Sequence, residues 1–535
     1  MPFSGRIVFA KDFQFGFLAP ATDPIPLKQL VSGSPNPSDQ HLSNIKETDD
    51  LSSLVCHTIT FASQTTCITA LFILNTAAPQ ASINGALVSN HERCTALGQR
   101  VLQDGGSSVD AAVAGVLCLG VVHPHVSGVG GGGVMLVHDI HKNETRVINF
   151  QGTAPKTFRK EMLHNVSGLK PLRQIHCSLS WEDVVSRAAD VAREGFTVTD
   201  SLGDEQLSQR FRDIFIPEGR ALRAGSFVRI PGLSGVLEAG LLNFYYGNLS
   251  QEIEDEVRAN GGVLSREDIS NYSVEVEQPL EVQYSVPPPP SAGAALISAL
   301  NILSENNITE NQTHPWIDEA IRASLFMTYG LGDPKYNSLL MEHLSNNQTE
   351  LLLQRMNDSH TPPSDSTAQS LHAVLLAGQV IVMGPDNLVV SVASSLNRPF
   401  GSRIITQSGI ILNSLLLDCI WSNKTQGHAD SEERPLLLLM PIIMVPAWRK
   451  CGIYTALSSS GGQNVLHTVT QLTFSAVIFD LLVTSSFHNS LPLAASPEES
   501  VQFVHAKGHV VQRGKTNSAV QGIQRKENII QVIKV

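Results

Sequence analysis

At 535 residues the chain has room for several domains or for one large layered α/β unit. Apolar residues make up 42% and charged residues 16%, which excludes a solvated disordered polymer, and the 40 Gly and 28 Pro follow no collagen period. The net charge of −12, with no Lys/Arg stripe, speaks against phosphate-driven nucleic-acid binding, and the 7 Cys lack zinc spacing, so no metal site is expected.

Residues 1–50 mix Pro/Ser-rich tracts with no sustained period and read as a tail on the cytoplasmic side. Residues 51–74 carry no charge and are long enough to cross a bilayer, although His57, Gln64 and several Thr and Ser dilute them. A buried helix or strand pair is the alternative. Acceptors of the form Asn-x-Ser/Thr stand at Asn143, Asn165, Asn248, Asn271, Asn307, Asn311, Asn347, Asn357 and Asn423, all downstream of that stretch. This asymmetry fits a glycosylated type II membrane protein with one N-terminal anchor and an extracellular or lumenal main domain. The cysteines beyond the anchor, Cys94, Cys118, Cys177, Cys419 and Cys451, are odd in number, so no full disulfide framework is implied.

Residues 91–119 read as two helices broken by Gly105 and Gly106. The next segment, a Gly-rich run, enters an alternating strand at 134–140. This order, loop then strand, is the reverse of a phosphate-binding loop, which needs a helix N-terminus after the glycines. His123 and His125 have no third ligand near in sequence and read as loop histidines. Residues 179–275 look helical, with amphipathic segments at 180–194 and 251–260. Residues 280–303 read as strand, a rigid tetraproline turn and an apolar helix, and 345–370 as a surface linker. A hairpin comes next at 378–392, then a strand pair around 404–417, an apolar strand within 435–446 and a buried helix within 465–482. Strands bracketed by helices predict stacked sheets under helical layers.

Five ordered blocks resemble the gamma-glutamyltransferase (glutathione hydrolase) family, most closely its glutathione hydrolase 7 branch. They are GSSVDAAVAGVLCLGVVHPHVSGVGGGGVMLVHD at 106–139, SREDISNYSVEVEQPL at 265–280, PPPPSAGAALISALNIL at 287–303, MGPDNLVVSVASSLNRPFGS at 383–402 and GIILNSLLLD at 409–418. The resemblance implies a four-layer αββα sandwich of the N-terminal nucleophile hydrolase type, and a precursor that cuts itself into two subunits. A large-subunit-like region would span 85–376 and a small-subunit-like region 377–535. The freed N-terminal Thr would then be both nucleophile and base, because its α-amine titrates near neutrality and can take the proton of its own weakly nucleophilic hydroxyl. Glutathione or other γ-glutamyl compounds are the implied substrates, and no cofactor is implied.

Position by position the match is uneven. The nucleophile position falls on Ala377, the His two places on becomes Gln379, and the later Thr pair becomes Ala393 and Ser395. Gln151 and Gly152 stand where the family's Arg-Glu pair belongs. A neutral amide cannot replace a charged fork of donors on a carboxylate, a loss of about 1.5–3 kcal/mol. Leu437 and Leu438 replace two serines. Asn397, Asp418 and the pair Gly461 and Gly462 do match, the first two as substrate-binding residues and the glycines as the oxyanion hole. Relative to the family, a helix is missing between 172 and 179. The chain is thus either a γ-glutamyl hydrolase or transferase, or an inactive glycosylated membrane relative that binds or regulates. The substitutions favour the second on chemical grounds.

Overall fold

Consecutive apolar residues such as 134–137 and 380–383 cannot hide on a sheet with one wet face; they call for strands buried on both sides. The computed structural model describes residues 85–153, 155, 178–199, 209–281, 284–289, 291–305, 320–321, 324, 377–415, 439–446, 452–460, 466, 469–470, 473, 519–526 and 529–534. All of them belong to the unit Gln64–Val535.

The chain enters through β1 (Ala86–Ser89), α1 (Glu92–Gln103), α2 (Ser108–Val122), β2 (Gly132–Asp139) and β3 (Glu144–Asn149). A helical stretch comes next, with α3 (Trp181–Glu194), β4 (Phe196–Thr197), α4 (Gln209–Phe215), β5 (Phe227–Val228), α5 (Leu233–Glu238), α6 (Gly240–Tyr246), α7 (Asn248–Ala259) and α8 (Arg266–Ser270). Strands β6 (Glu275–Glu277), β7 (Leu280–Glu281) and β8 (Tyr284–Val286) lead into α9 (Gly293–Glu305). The later part supplies β9 (Gly378–Met383), β10 (Leu388–Ser395), β11 (Ile442–Met444), β12 (Ile453–Ser460), β13 (Ala519–Lys526) and β14 (Ile529–Lys534).

Two antiparallel six-stranded sheets result, in the orders β1-β9-β10-β2-β3-β6 and β14-β13-β12-β11-β8-β7. Side-chain alternation explains the apolar runs. In β2, Met135 and Val137 join the core under the helices, whereas Val134 and Leu136 join the core that also holds Ile443, Tyr454 and Ile523 of the second sheet. In β9, Val380 and Val382 take the first role and Ile381 and Met383 the second. Strands β1, β2, β3, β9 and β10 of the first sheet therefore each face a helix layer on one side and the second sheet on the other, three of the layers of an αββα sandwich. Both sheets mix strands from before and after residue 377, so neither half could complete a sheet alone.

Helix α2 fixes the geometry. Its first turn is closed by a capping box in which Ser107 and Asp110 satisfy each other's backbone N–H groups. The fully buried Asp110 carboxylate also accepts from the backbone N–H groups of Ser178 and Leu179, at 2.8 and 3.1 Å, pinning the chain where it returns after residue 177. Ser108, next along, donates its backbone N–H to Asp386 at 2.7 Å, which ties the helix start to the β9–β10 turn. A disulfide between the buried Cys94 and Cys118 joins α1 to α2.

Both helices expected at 91–119, the amphipathic helices α3 and α7 and the β9–β10 hairpin form as the pattern predicts. The strand pair expected around 404–417 does not. A single bridge, Ile405 to Ile411, is all that pairs there. The reason is local: Phe400, Gly401, Arg403 and Gly409 have positive φ, which curls the backbone out of strand geometry. The segment closes a narrow turn, with the Leu412 N–H donating to the Ile404 carbonyl and the Thr406 N–H to the Ile410 carbonyl, and then ties itself to two other loops, the Asn413 N–H donating to the Gly130 carbonyl and the Ser414 N–H to the Leu396 carbonyl. The apolar stretch at 435–446 yields only the short β11 among the described residues. Leu466, Val469, Thr470 and Thr473 are helical and buried, in keeping with a buried helix in that region.

Candidate functional site around residue 377

Ala377 precedes β9 directly and is 3% exposed. Its backbone N–H donates to the Ser460 hydroxyl at 2.7 Å, at the far end of β12. Its methyl group packs in a small apolar cluster with Ala393, Leu415 and Leu439. Gln379, on the same strand face two residues on, pairs in register with Ala393, and its backbone N–H donates to the Asn90 side-chain carbonyl.

Asn397 sits just past β10 in the left-handed region, with φ of 76°, a conformation that asparagine tolerates better than most residues. Its N–H donates to the Ser395 hydroxyl at 2.9 Å, and its side-chain amide donates to the Ser414 carbonyl at 3.0 Å. Asn413 completes this wall: its amide donates to the Gly130 carbonyl at 2.7 Å, and its Oδ1 accepts from the Leu415 N–H at 3.1 Å. The loop after β10 is thereby stitched to the glycine run before β2.

Gln151 reaches the same neighbourhood from β3. It is buried, its N–H donates to Asn149 Oδ1 at 3.1 Å, and a Cβ placed on Gly132 would meet Leu415, the Gln151 Cα and the Gly152 N. Leu415 thus links the Gln151–Gly152 corner to the cluster around Ala377. Through Leu415, β9 and β10 the structure connects residues 151, 152, 377, 379, 393, 395 and 397, and every one of them is uncharged.

The glycines have a steric purpose here. A Cβ on Gly131 would lie 2.8 Å from the Ser395 carbonyl, and one on Gly133 2.4 Å from that of Ala393, so side chains would push β2 off β10. This explains the glycine run without any phosphate. His123 caps the C-terminus of α2, and its ring stands edge-on to His91 at 5.2 Å and to His125 at 5.6 Å. Burial, reinforced by the neighbouring His125 and His91, lowers the His123 pKa to about 3. Among the described residues no group of three His, Cys, Asp or Glu could hold a metal ion.

Of the expected acceptors, Asn143, Asn248 and Asn271 are described and all three are exposed. Asn165, Asn307, Asn311, Asn347, Asn357 and Asn423 lie outside the described residues, as do Asp418, Gly461, Gly462, Leu437, Leu438 and the stretch 51–74. Among the described residues no helix is long and apolar enough to cross a membrane. Sequence reading missed Ser460, Asn413 and Ser414. The position of Ser460 directly before the Gly461–Gly462 pair was the one available signal for it.

A sequence profile described as gamma-glutamyltranspeptidase matches residues 94–534. The chain is 38% identical to the human (Homo sapiens) protein named glutathione hydrolase 7, over 95% of this chain and 88% of that one. It is 27% identical to glutathione hydrolase 2 of Arabidopsis thaliana, over 78% of this chain and 82% of that one. In structure it is similar to the cephalosporin acylase from Bacillus halodurans, with a TM-score of 0.71 at 19% identity, covering 84% of this chain and 95% of that chain. That likeness is one of fold.

Proposed function

Because the chain belongs to the gamma-glutamyltranspeptidase family, we propose that it is a membrane-anchored, glycosylated member that keeps the sandwich and has lost γ-glutamyl transfer, serving as a binding or regulatory protein. The observation that carries this reading is Ala377. A methyl group in an apolar cluster has no hydroxyl to attack the γ-glutamyl carbonyl, and no acyl intermediate can form on it. The substrate's α-carboxylate would meet the neutral Gln151, where a charged fork of donors is needed for a bidentate grip. Self-cleavage fails for the same reason, since it also needs a hydroxyl at 377. In this reading residues 85–376 and 377–535 remain one polypeptide, the two subunit-like regions being parts of one unbroken sandwich.

The anchor at 51–74 and the lumenal placement of the chain beyond it rest on the downstream acceptors, and the Cys94–Cys118 disulfide supports an oxidising compartment. Asp418 would still bind backbone groups of a ligand, and Gly461 and Gly462 would still offer N–H donors. Asn397 supports the competing reading, an active glutathione hydrolase, because it stands where the family's substrate-binding Asn belongs.

Processing separates the two. The full chain, expressed in a secretory cell and run on a denaturing gel, is expected to migrate as one uncut species. A fragment beginning at residue 377 would sink the inactive reading.

A further inference from the structure

Helix α6 leaves two large residues one turn apart in solvent: Leu242 is 75% exposed and Tyr246 61%. They form an apolar patch on a short helix that packs against α7 and α8. Tyr246 is held from both ends. Its hydroxyl donates to the Ser270 carbonyl at 3.5 Å, and its own carbonyl accepts from Arg266 at 2.9 Å. Both bonds tie Tyr246 to α8.

Two of the three described acceptors flank this ring. Asn271 is joined by its own peptide bond to the carbonyl that takes the Tyr246 hydroxyl bond. Asn248 lies two residues beyond Tyr246, at the first position of α7. Both are exposed, as is Ser273 of the Asn271 acceptor. Asn143 stands apart from this helix, in the β2–β3 turn.

We infer that the patch Leu242–Tyr246 is a platform for the chain's own N-linked sugars, with the inner residues of the glycan on Asn271, aided by that on Asn248, packing over the Tyr246 ring. A pyranose presents a face of C–H groups that buries against an aromatic ring, while its hydroxyls stay in water, which suits a Tyr with an apolar body and a tethered polar end. The glycan thus hides apolar surface that would otherwise invite association.

This inference rests on the lumenal placement proposed above, and one experiment tells the two apart. The full chain is expressed in a secretory cell, glycan occupancy at Asn143, Asn248 and Asn271 is read by glycopeptide mass spectrometry, and Tyr246 is footprinted with hydroxyl radicals. The expected result is sugar at all three positions, with Tyr246 labelling rising several-fold in Asn271→Gln and in Ser273→Ala, and unchanged in Asn143→Gln. The Ser273→Ala variant keeps the asparagine, so a rise in both variants belongs to the sugar and not to the side chain. Sugar on Asn143 with Asn248 and Asn271 bare overturns the platform alone, as does unchanged labelling in both variants. A chain bare at all three positions overturns the lumenal placement together with the platform.

Discussion

In the proposed reading a single methyl group, that of Ala377, decides the chemistry of the site. Ala377, Ala393, Leu415 and Leu439 form one buried apolar cluster, and in that reading it stands where the family's reaction needs a hydroxyl and its base. Restoring the hydroxyl alone is not expected to restore the reaction. Ala377→Thr alone is expected to release no γ-glutamyl group from glutathione above background, because Gln151 leaves the substrate carboxylate without a charged partner; measurable release would show that 151 is not the missing anchor. Ser460 carries the complementary prediction. Its hydroxyl accepts from the buried Ala377 N–H, so Ser460→Ala leaves that donor unpaired and is expected to cost about 1–3 kcal/mol in chemical denaturation. An unchanged midpoint would mean that the N–H finds another acceptor. The place of Ala377 at the head of the β9–β10 hairpin was legible from sequence, because the Gly-Pro-Asp turn fixes the register of the two strands. Ser460 was not, because its partner lies 83 residues away and no local pattern marks a hydroxyl that accepts from a distant amide.

At the scale of elements, sequence pattern succeeded where a segment settles its own hydrogen bonds. Helices α1, α2, α3 and α7 announce themselves by period and caps, and the β9–β10 hairpin by its Gly-Pro-Asp turn. It failed at 404–415, which closes only a narrow turn on itself and ties its end to the distant loops at 130 and 396, and at β12, whose partners β11 and β13 include one more than fifty residues away. The end of α2 gives an element-scale test. Burial holds His123 near a pKa of 3 and His138, on β2, near 4. Both values lie below the unfolded one near 6.5, so the folded state prefers neutral imidazoles. Their stabilisation is complete above pH 6.5 and is lost as pH falls through that value toward 4 and 3. Denaturation midpoints are therefore expected to fall between pH 7.5 and pH 5, by roughly 2 kcal/mol for His123. In His123→Asn that share of the slope is expected to vanish; an unchanged slope would place the proton uptake elsewhere.

For the molecule as a whole, the sandwich interleaves its two halves: β9 and β10 lie between β1 and β2, while β7 and β8 close the edge of the sheet built from β11 to β14. Such a fold persists whether or not the chain is cut, since its stability lies in the shared cores and not in the bond before residue 377. In the proposed reading the family architecture outlives the family reaction, because family membership alone does not decide activity. The most direct test is release of the γ-glutamyl group from glutathione by the purified, full-length chain in the presence and absence of an acceptor dipeptide. No release above the uncatalysed background is expected under either condition. Turnover that saturates with glutathione and disappears on mutation of a residue at this site would contradict the loss of chemistry at Ala377.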